Sequence, residues 1–341
     1  MENTTTSIKE QWDQFKEQNP KLRIRDAAKQ LGVSEAELVN TGVGEHNTLL
    51  NNDFKELLRE TNTLGYVMAL TRNDYCVHER KGIYTKVGFN GPVGLVVTPD
   101  IDLRLFMNHW CFGFAVNEND RLSLQFFDED GSAVHKIYLT EKSNEQAYHQ
   151  LVAKYKADEQ YQQLAVKPVK SAAFQKPDSE VNVDAFQNAW LALQDTHDFH
   201  GLLRQHELTR TQALRLAPEG YAQPISVESL KNILTKASET SLPIMVFTGS
   251  AGCIQIHTGE IHKLVQTGPW FNVLDPEFNM HLREDGIAAI WLVKKPTTDG
   301  FVHSLEVYDS AGNTIVQFFG KRKPGIPESE DWRAVLVELA K

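Results

Sequence analysis

The chain is written twice, and this repetition constrains its fold more than any single motif. VMALT at 67 to 71 answers IMVFT at 244 to 248; Cys76 answers Cys253, Gly82 answers Gly259, Lys86 answers Lys263, Pro99 answers Pro276 and Leu105 answers Leu282, all at one offset of 177 residues. Beyond an insertion containing KPTTDG in the second half, LQFFDEDG at 124 to 131 pairs with LEVYDSAG at 305 to 312, and Trp12 corresponds to Trp190 at a slightly different offset. Self-similarity on this scale means two copies of one plan. In each half, short runs rich in Val, Ile, Phe and Tyr are broken by Gly, Asn-Asp and Asp-Gly, the pattern of antiparallel hairpins. The segments WDQFKEQNPKLRIRDAAKQLGVSEAELV, YHQLVAKYKADEQYQQL and DWRAVLVELA have helical spacing instead. The reading is an α+β fold: a tandem structural repeat, each half a large antiparallel β-sheet flanked by helices. VKPVKSAAFQKPDSEVNVD mixes proline, serine and charge without periodicity and reads as a linker. The first repeat is therefore 1–165, the linker 166–184 and the second repeat 185–341.

Composition narrows the function classes. With 341 residues, 41% hydrophobic and 23% charged, the chain is ordinary globular material. Its start lacks the basic and apolar regions of a secretory leader, and no apolar run approaches the roughly 20 residues that cross a bilayer. A cytoplasmic protein without membrane insertion is expected. Cys76, Cys111 and Cys253 form no CxxC pair and read as buried free thiols. A formal net charge of -10 opposes general attraction to nucleic acid, so an anionic ligand needs a local pocket of arginine and lysine. AAKQLGVSEAEL at 27 to 38 has the outline of a helix-turn-helix, but the would-be recognition helix AELVNTGVGE offers no basic side chain to phosphates. A helix pair packed on a sheet is the expectation there. TGSAGC at 248 to 253 lacks the spacing of a phosphate loop and reads as a turn. The adjacent carboxylates Glu129 and Asp130 also fall in a turn, which gives no facing acid pair.

One stretch stands out chemically. LALQDTHDFHGLLRQHELTR, Leu191 to Arg210, places three histidines and basic residues on what reads as one helix. At 100° per residue, Trp190, Leu193, His197, His200 and Arg204 fall on one side and Leu191, Phe199, Leu202 and Leu203 on the other. One face can pack into a core while the face carrying His197 covers or binds something else.

Several stretches in this order resemble the HemS/ChuS/HmuS family of bacterial cytoplasmic haem-handling and haem-degrading proteins. They are RNDYCVHE at 72 to 79, LRLFMNHW at 103 to 110, DTHDFHGLLRQHELTRTQA at 195 to 213, MVFTGSAGCIQIHTG at 245 to 259, KKPTTDGFVHSLEVYDSAG at 294 to 312 and QFFGKR at 317 to 322. The resemblance covers nearly the whole chain and implies the two-sheet duplicated fold. It makes His197 the axial ligand to the iron of haem b, and places Arg104, with Phe106 as an apolar neighbour, opposite it from the other half. Arg210, Lys295 and Arg322 would supply positive charge near the propionates or the distal face, as two carboxylates entering a partly apolar cleft require. His78 matches a second or transient family ligand; the competing reading is a partly exposed strand histidine. At the tryptophan offset His197 meets Asn19, so one principal haem site between the halves is expected. His200, His257 and Phe319 depart from the family pattern, and His200 is close enough in sequence to compete for iron.

Two function classes follow. The first is an enzyme of iron acquisition that opens the porphyrin ring after haem import, by an oxygenase-like or a reductive route, with Arg104 acting on the distal side and electrons from an external donor. The second is a cytoplasmic carrier that stores haem and transfers it without turnover. Either implies a haem importer and a downstream acceptor as partners, and the enzyme implies a reductase. No GxGxxG follows a strand, so no Rossmann-type nicotinamide site is read.

Overall fold

The computed structural model describes residues 7–169, 175–323 and 325–340. The chain divides into two compact units, and each follows the order expected from the repeat: helices, strands, closing helix.

The first unit opens with α1 (Ile8–Gln18), α2 (Ile24–Leu31) and α3 (Glu35–Asn40). α1 and α3 begin at capping boxes, Ser7 with Glu10 and Ser34 with Glu37, which satisfy orphan N–H groups at both ends of each motif. Strand β1 (Asn47–Leu49) and α4 (Phe54–Glu60) follow, then β2 (Gly65–Arg72), β3 (Cys76–Ile83), β4 (Gly88–Asn90), β5 (Val93–Val97), β6 (Asp102–Phe106), β7 (Phe112–Glu118), β8 (Arg121–Phe127) and β9 (Ala133–Ser143), closed by α5 (Glu145–Tyr155). The strand order is β1-β7-β8-β9-β2-β3. Asn119 and Asp120, both at positive φ (52° and 63°), turn β7 into β8 as a primed hairpin requires. α4 and α5 bury Leu57, Leu58, Tyr148 and Leu151 against Leu64, Ala69, Leu124 and Ile137.

The helix-turn-helix outline resolves into packing. Glu35, Ala36, Leu38 and Val39 of α3 are all buried, and the Glu35 carboxylate pairs with Lys136 Nζ at 2.6 Å and with the Arg72 guanidinium. Residues that would have to face a groove are committed to the sheet.

The second unit carries α6 (Val183–Leu191), α7 (Asp198–His206), α8 (Arg210–Arg215), β10 (Ala222–Ile225) and α9 (Val227–Glu239). Its strands are β11 (Ile244–Gly249), β12 (Cys253–Gly259), β13 (Leu264–Thr267), β14 (Trp270–Leu274), β15 (Phe278–Arg283), β16 (Ala289–Thr297), β17 (Gly300–Tyr308) and β18 (Thr314–Gly320), and α10 (Glu330–Leu339) closes it. The order β10-β16-β17-β18-β11-β12 reproduces the first unit's sheet. α9 and α10 cover one face through Leu230, Ile233, Trp332 and Leu336 on Val246, Leu305 and Phe318. α6 to α8 cover part of the other, with Phe186, Trp190, Phe199 and Leu214 on Val293 and Tyr308. Among the described residues no helix is long and apolar enough to cross a membrane.

Each unit also contains a short segment from the other repeat. Ser250–Gln255 belongs to the first unit and Asn73–His78 to the second. The two segments lie at the repeat offset and make matching contacts. Thr71 Oγ1 donates to Cys253 Sγ at 3.4 Å in the first unit, while Cys76 Sγ and Thr248 Oγ1 sit 3.5 Å apart in the second. Burial pushes both thiols up to about 12, so they are packing groups at neutral pH.

One expectation needs correction. The 191–210 stretch is not one helix: α6 ends at Leu191 and α7 starts at Asp198. Asp195 is the cause, because its side chain accepts the backbone N–H of His197 at 2.8 Å and so competes with helical pairing. Trp190 is consequently fully buried, whereas His197, His200 and Arg204 are exposed. Within the expected linker 166–184, residues 170–174 lie outside the described residues, and the described flanks bond to the neighbouring units. Lys167 N–H donates to Glu129 O in the first unit, and Gln212 Nε2 donates to Lys176 O and Asp178 Oδ1 in the second.

Candidate functional site

His197 sits at the N-cap of α7 with its side chain 87% exposed. Asp195 Oδ1 accepts both its backbone N–H at 2.8 Å and its Nδ1–H at 2.6 Å. Asp195 lies below the usual carboxylate range, chiefly because of that backbone N–H, with the imidazole and the charge of Arg322 adding to it against partial burial. An ionised carboxylate can only accept, so the proton of the neutral imidazole is on Nδ1 and the lone pair is on Nε2. This is the arrangement of a metal-binding histidine with an oriented, strengthened donor atom. His200, one turn on, is exposed as well.

Between these two histidines Phe199 is buried (1% exposed) and anchors the helix. Its ring meets Trp190 edge to face at 4.7 Å, and the cations of Lys295 and Arg210 lie 4.6 and 5.3 Å from its centroid. Both cations serve Glu306, which is fully buried: Lys295 Nζ donates to Oε1 at 2.6 Å, Arg210 Nε to Oε2 at 2.9 Å and Arg210 Nη2 to Oε1 at 3.2 Å. Ser304 and Tyr308 add their hydroxyl hydrogens. Burial alone would raise the Glu306 carboxyl, but the two cations outweigh it and hold it well below its ordinary value.

Arg210 and Lys295, expected to supply positive charge near the propionates or the distal face, are thus both paired with Glu306. Lys295 is 3% exposed and spent on Glu306; Arg210 keeps 28% exposure, so only its outer edge can meet an incoming anion. Glu306 was not among the candidates. Its signal was available in SLEVY, where alternation puts Ser304, Glu306 and Tyr308 on one strand face, a carboxylate at an inward position.

Beyond the helices, the same face of the sheet is half-buried and largely apolar. Cross-strand pairs set Met245 beside Phe319 and Phe247 beside Gln317, with the Phe247 and Phe319 rings 5.0 Å apart. Gln317 Nε2 is buried there without a hydrogen-bond partner, a cost that a ligand acceptor would relieve. Arg322 follows β18 and is near enough to act on Asp195.

In the first unit, β6 places Asp102, Arg104 and Phe106 on one face while Leu103 and Leu105 point into the core. Arg104 pairs with Asp102 two residues away, which removes the problem of an isolated charge in an apolar segment. Its side chain stays 34% exposed. The register Val93↔Phe106, Leu95↔Arg104 and Val97↔Asp102 surrounds it with three aliphatic side chains 42%, 44% and 51% exposed. An exposed apolar strip with one arginine suits a flat, hydrophobic ligand bearing a polar centre.

His78 is a further correction. It is 0% exposed and meets the Phe278 ring at 4.9 Å, and His257 stacks on Phe278 at 3.8 Å with 3° between planes. His78 lies inside the second unit's packing, so it is not the partly exposed strand histidine of the competing reading. His257 occupies its aromatic position as a ring.

Comparison with known proteins bears on this donor set. The family model for the haemin-degrading HemS.ChuX domain matches twice, over residues 32–155 and 207–339. The chain is 38% identical to the hemin transport protein HemS of Yersinia enterocolitica over 338 residues, covering 98% of this chain and 97% of that one. Among solved structures, apo-PhuS, a heme-binding protein from Pseudomonas aeruginosa, superposes with a TM-score of 0.95 at 47% identity, covering 97% and 98% of the two chains. ChuS, a heme degrading enzyme of Escherichia coli O157:H7, gives 0.90 at 37% identity, covering 97% and 98%.

Proposed function

The chain belongs to the haemin-degrading HemS.ChuX family, and from that premise we propose that it receives imported haem and opens the porphyrin ring to release iron. The observation that carries this reading is His197, exposed, with Nδ1–H tied to the Asp195 carboxylate at 2.6 Å and Nε2 turned outward. His197 is the residue that holds the iron, and Asp195 increases its donor strength. Haem supplies the redox chemistry; the chain supplies the ligand, the apolar floor of Met245, Phe247 and Phe319, and the hydrogen-bond donor of Gln317. Arg104, with Phe106 beside it, is the group proposed to act on the distal side, where a cation stabilises developing negative charge. Arg322 and the outer edge of Arg210 are the proposed propionate partners. Electrons come from an external donor, delivered by a reductase.

The exposed His200 supports the carrier reading instead, as a neighbouring imidazole to which haem can shift on its way to an acceptor protein. The deciding experiment is anaerobic haem loading, then reductant, then oxygen with catalase present, following the Soret band, iron and tetrapyrrole products. Ring opening that survives catalase supports the enzyme. A stable spectrum lost only to an acceptor protein would make the chain a carrier.

A further inference from the structure

The geometry points to Phe199 and Lys295 as positioning residues: a cation–π clamp, charged by the Glu306 network, that fixes the first turn of α7 and so sets where His197 presents its Nε2. This rests on the reading of His197 as the haem ligand. His197 is almost entirely solvated, and Asp195, the side chain that bonds its imidazole, is itself on the loop before α7. Local bonds can orient the imidazole but cannot place the segment. Placement comes from Phe199, two residues on, which is buried between the Trp190 edge and two cations.

The charge balance explains why the clamp is strong. Two cations meet one carboxylate, so the buried cluster carries a surplus positive charge, and the Phe199 π-face is the apolar group that receives it. Burial makes the attraction larger than at a surface because no water competes for the ammonium. The first unit has the same two-cation, one-carboxylate composition in permuted form: Glu35 opens α3 where Arg210 opens α8, and Arg72 and Lys136 supply the cations from strands. That cluster holds down a helix with no exposed histidine before it. In the second unit the same device carries a ligand-bearing turn.

The clamp is testable without haem. In the full-length apo protein, Lys295→Met removes the cation nearest the ring while leaving Arg210 paired with Glu306, and Phe199→Leu keeps apolar bulk but removes the π-face. Each should speed amide exchange across residues 199–206 by roughly tenfold or more, with far smaller changes across α9 and α10. Lys295→Arg should restore protection. The double variant should exchange no faster than the faster single one, since both changes remove one interaction. In the haem-loaded protein the single variants should broaden or shift the Soret band and the iron–histidine stretch, and Lys295→Arg should return both.

Unchanged exchange at 199–206 in both single variants, or fully additive effects, would overturn the clamp. Failure of the underlying reading looks different: wild-type and His197→Ala proteins would then give identical haem spectra, while the apo exchange result still reports on the clamp alone.

Discussion

A single oxygen, Asp195 Oδ1, accepts both the main-chain N–H and the imidazole Nδ1–H of His197, at 2.8 and 2.6 Å. Replacing His197 with alanine should shift the Soret band and weaken haem binding by about tenfold or more, while Asp195→Asn should retain binding with a weaker iron–histidine stretch and an affinity loss near the lower end of the 10- to 100-fold range. Absorbance titration and resonance Raman spectroscopy read both. An Asp195→Asn protein identical to wild type would show that the carboxylate does not tune the ligand.

Arg104 predicts a separation of binding from turnover. Its apolar surroundings, Val93, Leu95 and Phe106, remain when the guanidinium is removed. Arg104→Ala should therefore keep haem affinity within about tenfold yet slow ring opening by about a hundredfold, the usual cost of losing one charge-stabilising donor. Arg104→Lys should recover little, because a point charge does not reproduce the planar fork that meets Asp102. Equal losses in affinity and rate would assign Arg104 to binding alone.

Glu35 gives the first unit an acid-sensitive bond. Burial works to raise this carboxyl, but Arg72 and Lys136 outweigh it and bring it from 4.5 to about 2. Since the folded value is depressed, the stabilisation is fully present above pH 4.5 and is lost as pH falls toward 2, in total about 3 kcal/mol. Glu35→Gln should cost about 3 to 5 kcal/mol at pH 7, because two cations are left buried. The difference from wild type in urea unfolding should shrink below pH 4.

His135 acts over a different range. Its Nδ1 meets Thr71 Oγ1 at 2.8 Å and its Nε2 meets Tyr84 OH at 2.6 Å, in full burial. Desolvation lowers it from 6.5 to about 3, so it folds neutral. Below pH 6.5 the unfolded chain takes up a proton that the folded chain refuses, and stability declines until about pH 3, by about 5 kcal/mol. Its ring resonances should show no titration between pH 7 and 5. A titration midpoint near 6 would contradict the buried neutral assignment.

Much of this was legible from residues alone. The 177-residue offset, the Asn119-Asp120 turn and the burial of α3 follow from local chemistry, and His197 enters as a candidate through the resemblance. What was missed has more than one physical cause. The pairing of Arg210 and Lys295 with Glu306 was not read, because that common acceptor lies 96 and 11 residues away. His78 could have been placed inward, since it alternates with the buried Cys76 on β3. The break at Asp195 was hidden because helical periodicity does not register a side chain that captures its neighbour's N–H.

The exchanged segments Asn73–His78 and Ser250–Gln255 bear on ancestry and on dissection. A polypeptide carrying one repeat would have no second repeat from which to take the missing six residues, and its simplest remedy is a twin molecule donating the same piece in return. Duplication and fusion of such a homodimer would give one chain in which each unit still takes six residues from the other repeat. Cutting the chain within 166–184 would therefore leave fragments that fold by reassociation and not as autonomous modules.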